Sequence, residues 1–268
     1  MSLIDDLNKK SYYDYMILFL ITLIVSANVY LNILSFYNPK SFGNALVFLI
    51  IDPVFLVLLD IAYKKLILRK TIVLPKTAII SGLFVAGIMD PTAPVYVHLI
   101  AGAIAILSKH LIRNKMRNIF NPAGFGITLT GLVFTYLLKM PVAGSWWLAT
   151  TLLAIPFGLY ISYRLQKLPM SIAFLVVYSL TAVLVRNFPL AQVLEPSFLS
   201  GYFFFSCFML LEPRTSTYSF KPMVIFGVLV AILSGVMPLF VPTIEYTLVG
   251  LLLMNLFTDV LEKKFPDQ

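Results

Sequence analysis

A short polar stretch between two apolar runs carries the residues best suited to chemistry. Asn118 and Asn121 each bring an amide that donates and accepts hydrogen bonds, and Phe120 brings a flat ring between them. Asn121 is a good helix cap, Pro122 suits the first helical turn, and the free amides of a helix start attract a negative or electron-rich group. This pattern suits contact with the polar edge of a flat ligand. Helix capping and interhelical hydrogen bonding are the alternative.

Further residues of the same types occur elsewhere in the chain. Asn255 lies in the last apolar run and has the same two interpretations, ligand contact or interhelical hydrogen bonding. Aromatic rings are abundant, so packing in the membrane is the default role for any one of them. The rings that could wall a flat slot are Phe120, Phe125, Phe205 and Phe208.

Acidic side chains inside apolar runs form a second group of candidates, because a carboxylate at membrane depth is costly and tends to be functional. Asp52 lies in the middle of an apolar run, and we weigh an ion, proton or ligand contact equally against a buried structural partner. Asp60 lies nearer the end of the same run, where Lys64, four residues on, is a natural partner. Asp90 and Glu212 precede prolines, which is typical of solvated turns.

The sequence has no pattern for a metal centre or for autonomous enzyme chemistry. Neither of the two histidines, His98 and His110, has a second His or a carboxylate three or four residues away. Cys207 is the single cysteine, which excludes an intramolecular disulfide and a cysteine-ligated cluster. The sequence shows neither a Ser-His-Asp order nor a Gly-rich phosphate loop. A proton relay through His98 stays open as a minor alternative.

Composition determines where these residues must lie. Of 268 residues, 60% are hydrophobic and only 12% are charged, which is typical of a polytopic membrane protein. The net charge of +8 is carried in loops between apolar runs, so we expect no nucleic-acid partner. The expected surroundings are the lipid bilayer of the plasma membrane.

Ten apolar runs follow one another along the chain. The third, fourth and eighth are shorter than the roughly 20 residues that a full helical span needs. Short or interrupted helices are typical of transporter-like folds, in which they surround a central site. The runs are 14–36, 43–62, 77–89, 95–108, 122–138, 145–163, 170–185, 197–211, 223–241 and 246–261.

The distribution of basic residues predicts the orientation. If all ten runs cross the membrane and the amino terminus is cytoplasmic, only Lys40, Lys139 and Arg186 of the 20 Lys and Arg residues fall outside. Because cytoplasmic loops carry the Lys/Arg excess, this split favours ten crossings with both termini in the cytoplasm.

Ten crossings divide into two halves of five, and the second half is then inserted upside down. Ser81-Gly82 and Asp90-Pro91 bracket the third run, as Ser200-Gly201 and Glu212-Pro213 bracket the eighth, although chance recurrence of these dipeptides is an alternative. We therefore expect an interfacial segment over 1–13, a membrane repeat over 14–138, a second repeat over 145–262, and a cytoplasmic tail over 263–268.

Four segments resemble signature sequences of the RnfD/NqrB family, the flavin-carrying membrane subunits of Rnf and of sodium-pumping NADH:quinone oxidoreductase complexes. They lie in order within residues 77–131 and 203–260. The segments are Ser81-Gly82-Leu83 leading to Asp90-Pro91; Lys109 with Asn118-Ile119-Phe120-Asn121-Pro122-Ala123; Phe208-Met209-Leu210-Leu211-Glu212-Pro213-Arg214-Thr215-Ser216; and Leu252-Leu253-Met254-Asn255-Leu256.

The resemblance implies an all-α integral membrane fold of about ten helices in two inverted five-helix repeats, with short and broken helices arranged as in urea transporters. It also implies a flavin, riboflavin or FMN, near the signature residues. The residues implied to contact it are Ser81, Gly82, Asn118, Phe120, Asn121, Pro122, Ala123, Gly124, Glu212, Thr215 and Asn255.

The chain departs from the family pattern at two places. Family members with covalent FMN attach it to a Thr in an S-G-A-T sequence, which this chain lacks. The corresponding link here is residues 139–144. The most similar stretch nearby is Trp147-Leu148-Ala149-Thr150, which has no Ser-Gly. We therefore expect the flavin to be held non-covalently. The Gly-rich turn that usually precedes the N-x-F-N-P-A signature is replaced by Arg113-Asn114-Lys115-Met116.

Two classes of function follow from these observations. The favoured one is a membrane electron-transfer subunit that passes electrons between a cytoplasmic reductase and an acceptor in or across the membrane. Its partners would be other membrane redox subunits or a flavin- or NAD(P)H-linked reductase. The alternative is a transporter or channel for a flavin or another small polar solute, and a structural assembly subunit is third. Asp52 is the candidate for an ion or proton path.

Overall fold

Helices make up about three quarters of the structure, a computed structural model that describes residues 11–35, 45–69, 71, 73–114, 117–140, 146–150, 152–240 and 245–267. These residues contain twelve α-helices and one short β-hairpin. The expected all-α class is therefore confirmed.

The elements follow the apolar runs in order. Two helices continue as π-helical turns, α5 over Leu132–Leu137 and α9 over Phe205–Met209, and single 3-10 turns cover Trp147–Thr150 and Met237–Leu239. The helices are α1 Tyr12–Ser35, α2 Ala45–Leu66, α3 Lys76–Ile88, α4 Val95–Leu111, α5 Pro122–Gly131, α6 Ala154–Arg164, α7 Leu168–Leu184, α8 Leu190–Val193, α9 Pro196–Phe204, α10 Phe220–Val236, α11 Tyr246–Asn255 and α12 Thr258–Lys264, and the hairpin is β1 Arg113–Asn114 with β2 Arg117–Asn118.

Three helical stretches among the described residues are long and apolar enough to cross a membrane: Tyr12–Leu31, Ala45–Leu66 and Phe220–Leu239. The other apolar helices are shorter, from 10 to 17 residues. Many large apolar side chains on these helices face outward, such as Ile33 at 63% and Ile50 at 66% exposure. An apolar outer surface on apolar helices is consistent with a membrane protein.

Some boundaries differ from those expected. The run 145–163 is not one helix, because a 3-10 turn at Trp147–Thr150 precedes the eleven-residue α6. Helix α1 begins at Tyr12, inside the expected interfacial segment, of which residues 1–10 lie outside the described residues. Helix α12 runs to Lys264, past the expected start of the tail. Helix α8 was not expected at all.

The helix starts explain why the elements begin where they do. The side-chain oxygen of Asn121 accepts the Gly124 N–H at 3.0 Å, and Pro122 occupies the first turn, as the sequence predicts. Helix α10 begins differently, because carboxylates from the end of the chain accept its free amides: Glu262 binds the N–H of Ser219, and Asp267 binds those of Phe220 and Lys221.

Close helix packing relies on residues without a bulky side chain. A Cβ added at Gly126 of α5 would lie 2.2 Å from the carbonyl oxygen of Ala101 in α4, so no larger residue fits there. Gly250 in α11 similarly meets Ser234 in α10. Small residues let helix backbones approach each other closely inside a membrane. In contrast, Gly201 has nothing within 4 Å of an added Cβ.

The polar turns between helices lie in two groups, and contacts within each group hold the turns together. The helices connect one group to the other. In the first group, the basic end, Lys76 pairs with Asp14 at 2.7 Å and Arg117 pairs with Asp259 at 3.1 Å. In the second group, the Trp146 end, the backbone N–H of Trp146 donates to Ile88 at 3.3 Å, and its indole N–H donates to Glu245 at 2.8 Å.

We expect Gly126→Ala to lower the free energy of unfolding by about 1–3 kcal/mol, because the new methyl group would clash with the α4 backbone. The matched control is Gly201→Ala, which meets open space in a helix and should be neutral or up to about 1 kcal/mol stabilising. Thermal unfolding in detergent measures both. Equal loss of stability in the two variants would contradict the packing described for α4 and α5.

Glu245 provides a pH prediction at the Trp146 end. Burial raises the pKa of its carboxyl to about 7 from an ordinary 4.5, and the Trp146 hydrogen bond only partly offsets this. Because the folded chain then binds more protons than the unfolded chain between pH 4.5 and 7, stability should fall as the pH rises through that window. Glu245→Gln should remove this fall, worth about 1–3 kcal/mol, when unfolding is compared at pH 5 and pH 8.

Candidate functional site

Two buried asparagines join the start of α5 to the end of α11. The side-chain oxygen of Asn255 accepts the backbone N–H of Asn121 at 3.0 Å, although the two residues lie 134 positions apart. The amide nitrogen of Asn121 donates to the carbonyl oxygen of Met209 at 3.2 Å. Both side chains are nearly inaccessible to solvent, at 2% and 4% exposure. Their amides therefore already have partners inside the protein.

The turn after the π-helical end of α9 completes this network. The carbonyl oxygen of Thr215 accepts the Asn255 amide at 3.1 Å and the Thr258 hydroxyl at 2.8 Å. Four parts of the chain thus meet at one place: the start of α5, the segment after α9, the end of α11 and the start of α12. We call the set Asn121, Met209, Thr215, Asn255 and Thr258 the amide junction.

A first cavity borders the amide junction at the basic end. Its volume is about 20 Å³, which is room for one or two water molecules. Its walls come from α1, α3, α4, α5 and the turn after α9, and they are polar as well as apolar. The lining residues are Tyr13, Thr77, Ile80, Ser81, Phe84, Lys109, Asn118, Asn121, Pro122, Ala123, Glu212 and Arg214.

Lys109 is held at the first cavity by a buried ionic cluster. Its ammonium donates to Asp60 at 2.8 Å and to the Thr77 hydroxyl at 2.9 Å. The same carboxylate contacts His110 at 2.9 Å and pairs with Lys64 at 2.5 Å, so the predicted Asp60–Lys64 pair is confirmed. Two lysine cations, Lys64 and Lys109, around one carboxylate offset the cost of burying it.

Glu212 brings the opposite charge to the same cavity. Burial raises the pKa of its carboxyl above the ordinary value, while Arg214, Lys167 and Lys109 oppose the rise. Within the described residues, its carboxylate forms no hydrogen bond and no ion pair. Glu212 is half-buried and lines the first cavity, so it is only in part the solvated turn residue that the sequence indicates.

A second cavity lies on the other side of Asn118. Its volume is about 170 Å³, and it is lined by Asn114, Arg117, Asn118, Ile119, Thr215, Asn255, Leu256, Thr258 and Asp259. Asn118 is 8% exposed, and its amide has no hydrogen-bond partner in the described part of the chain. An amide that borders both cavities without a partner is available to a ligand.

Cations and an aromatic ring lie around Ser216, which follows the lining residue Thr215 of the second cavity. The Arg117 guanidinium donates to the Ser216 carbonyl oxygen at 2.9 Å and lies 4.6 Å from the centre of the Tyr218 ring. The Lys167 ammonium donates to the Ser216 hydroxyl at 2.6 Å, and burial lowers its pKa to about 8. Near neutral pH both side chains carry positive charge beside the cavity.

The structure brings most of the predicted site residues together. Ser81, Asn118, Asn121, Pro122, Ala123, Glu212, Thr215 and Asn255 line one or both cavities. Three do not: Phe120 stacks on Phe125 with ring centres 5.1 Å apart, the Gly124 N–H binds the Asn121 side chain, and Gly82 packs on the backbone of Pro53. Two of the proposed slot walls, Phe205 and Phe208, are buried in the apolar core.

Asp52 lies apart from both cavities and has a partner that the sequence pattern did not indicate. Its carboxylate contacts His98 at 2.9 Å, and both side chains are fully buried. The pairs Asp60–Lys109 and Arg117–Asp259 also escaped prediction, since their members lie 49 and 142 positions apart. Local sequence spacing carries no signal for such pairs. No group of three potential metal ligands occurs in the described residues.

No protein-family model matches the chain, and no curated protein matches it. The resemblance to the RnfD/NqrB family stays a prediction from the quoted motifs.

The hydrogen bonds of the amide junction generate a stability prediction. Asn255→Leu leaves the Asn121 N–H without its acceptor, so the free energy of unfolding should fall by about 1–3 kcal/mol. Asn118→Leu is the matched control, because the Asn118 amide has no partner to lose and its replacement should change stability by less than about 0.5 kcal/mol. Unfolding of both variants in the same detergent checks this. A larger loss in Asn118→Leu than in Asn255→Leu would refute the assignment.

Proposed function

We propose that the chain is a membrane electron-transfer subunit similar to RnfD/NqrB and that it binds one flavin non-covalently at the amide junction. The observation that carries the proposal is the meeting of motif segments far apart in sequence. Four separate motif segments contain Ser81, Asn121, Thr215 and Asn255. Ser81 and Asn121 line the first cavity, and Thr215 and Asn255 line the adjacent second cavity. Packing alone does not require four such polar segments to converge.

The proposed topology has ten membrane crossings in two inverted repeats, with both termini in the cytoplasm. The grouping of the turns supports it. Polar contacts link the segments around residues 14, 76, 117, 167, 216 and 259 at the basic end, and those around 88, 146, 186 and 246 at the Trp146 end. Alternate crossing predicts this division, because successive turns then fall on opposite sides.

The second cavity fits a flavin in part. A cavity of about 150 Å³ takes one benzene ring, so 170 Å³ takes one ring of the three-ring isoalloxazine. The Asn118 amide and the Arg117 guanidinium suit the carbonyl and imide groups of the pyrimidine edge. Leu256, which is 51% exposed at the rim, offers apolar surface for the remainder. The bound flavin would supply the electron-carrying chemistry.

The surroundings of the cavity favour an electron-rich ligand and an acidic partner. Arg117 and Lys167 lie beside it, and most Lys and Arg residues are on the side proposed to be cytoplasmic. Basic surface of this kind attracts an acidic reductase and anionic lipid headgroups. The proposed partner is therefore a cytoplasmic flavin- or NAD(P)H-linked reductase, alone or with other membrane redox subunits.

The direct test is the visible spectrum of purified protein before and after acid precipitation. We expect flavin absorbance, at about one flavin per chain after adding riboflavin or FMN, and its release into the supernatant because the attachment is non-covalent. Asn118→Leu should weaken the flavin affinity at least about tenfold, which corresponds to about 1.4 kcal/mol. Thr128→Val is the control, because the buried Thr128 hydroxyl has no partner among the described residues and lies outside both cavities.

Purified protein that shows no flavin absorbance and takes up neither added riboflavin nor FMN would contradict this function. Retention of normal flavin affinity in Asn118→Leu would contradict the assigned site but not the function.

A transporter or channel for a small polar solute is the second candidate. It is favoured by the 170 Å³ volume of the second cavity, which suits a small solute better than a complete flavin, and by the first cavity of about 20 Å³ on the other side of Asn118. Solute uptake into liposomes without a redox partner would support it. Asn118→Leu separates the two candidates, since lost flavin binding with unchanged folding favours electron transfer and abolished flux with intact flavin favours transport.

A further inference from the structure

Asp52 and His98 form a buried pair in which each side chain is 0% exposed. They join α2 to α4, and the His98 ring stacks on Phe48 with ring centres 3.8 Å apart and an interplanar angle of 11°. The cavities of the amide junction include neither residue. The proposed flavin function therefore leaves this pair unexplained.

The contacts of the His98 ring determine how many protons the pair holds. Nδ1 faces the Asp52 carboxylate at 2.9 Å, and Nε2 faces the carbonyl oxygen of Asp90 at 3.1 Å. A carbonyl oxygen can only accept, so Nε2 must carry a proton. A second proton must then lie between Nδ1 and the carboxylate, since otherwise two acceptors would face each other. The pair holds both protons whether it is written as an ion pair or as neutral partners.

Among the described residues, no other ionisable group compensates the pair. His98 is the one titratable side chain that acts on Asp52 in the described part of the chain, and the second carboxylate oxygen of Asp52 has no partner. Loss of the shared proton would leave a bare negative charge in an apolar interior, which is costly. The charged and histidine groups on the elements packed around the pair are Asp14 on α1, Asp60, Lys64 and Lys65 on α2, Lys76 on α3, Lys109 and His110 on α4, and Asp90 in the preceding turn. The tyrosines on these helices are Tyr12, Tyr13, Tyr15 and Tyr30 on α1, Tyr63 on α2 and Tyr96 on α4.

Helix packing does not require such a pair. Helices α7 and α10 pack closely where an added Cβ on Gly235 would meet the Thr181 side chain at 2.2 Å. Neither helix contains an Asp, Glu or His. On α2 and α4, by contrast, Asp52 and Asp60 lie eight residues or about 12 Å apart, each facing a histidine of α4. Burying an ionisable pair costs free energy, and helices α7 and α10 pack closely without one. An ionisable pair that is buried at this cost points to a function.

We propose that Asp52 and His98 are a proton-binding site that holds one exchangeable proton between them inside the membrane domain. The Asp90 carbonyl, in a half-buried turn at the end of α3, fixes the ring so that Nδ1 faces the carboxylate. The proposal is independent of flavin binding.

Nitrogen-15 magnetic resonance of histidine-labelled protein tests the proposal directly. The chain has only two histidines, so His110→Asn leaves the His98 ring as the single labelled signal. At pH 8 we expect protons on Nε2 and in the Nδ1–carboxylate contact, the latter strongly deshielded. Asp52→Asn should give a neutral ring with one bare nitrogen at the same pH, and Asp52→Glu should retain the shared proton.

The same spectra are recorded in protein with and without flavin. A wild-type His98 ring with one bare nitrogen at pH 8 would overturn the proposal even if the Asp52 variants failed to fold. Identical His98 spectra in the unsubstituted chain and Asp52→Asn would also overturn it. A chain that lacks flavin but shows the shared proton would refute the proposed function alone.

Discussion

Helix ends that lie inside the protein must find hydrogen-bond partners there, because neither lipid nor an apolar core supplies any. Helix α5 begins and helix α11 ends at the amide junction. The Asn121 N–H reaches the Asn255 side chain, and the Asn255 amide reaches the Thr215 carbonyl oxygen. One pair of asparagines thus satisfies backbone groups from segments that are far apart in sequence. This constraint explains both why the motif residues meet and why two of the three amides are unavailable to a ligand.

The same constraint divides the candidate site into parts with different roles. Asn121 and Asn255 hold the backbone together, whereas Asn118 borders both cavities with an amide that has no partner among the described residues. Two basic side chains near the site have acidic partners: Lys109 pairs with Asp60, and Arg117 pairs with Asp259 and also packs on the Tyr218 ring. The rigid junction can therefore position the free Asn118 amide and a positive surface beside one small cavity. Asp52 and His98 lie outside it and compensate only each other.

Local patterns predicted the helices better than they predicted the contacts. The apolar runs, the Asn121 cap and the Asp60–Lys64 pair were all readable from neighbouring residues. The break near Trp147 was not, because its residues are as apolar as those of a helix. The partners of Asp52, Lys109 and Arg117 could not be predicted, because they lie 46 to 142 positions away and the neighbouring sequence does not indicate contacts at that separation. The roles of Glu262 and Asp267 as caps of α10 were hidden for the same reason.

The most direct measurement is an experimental density map of the full chain purified with added riboflavin or FMN. The account predicts ring density in the second cavity, with the polar edge beside Asn118 and the far edge near Leu256, while the Asn121–Asn255 hydrogen bond is retained. Flavin density elsewhere, such as beside Trp146, would contradict the assigned site. A map with Asn121 or Asn255 facing lipid would contradict the amide junction on which the account depends.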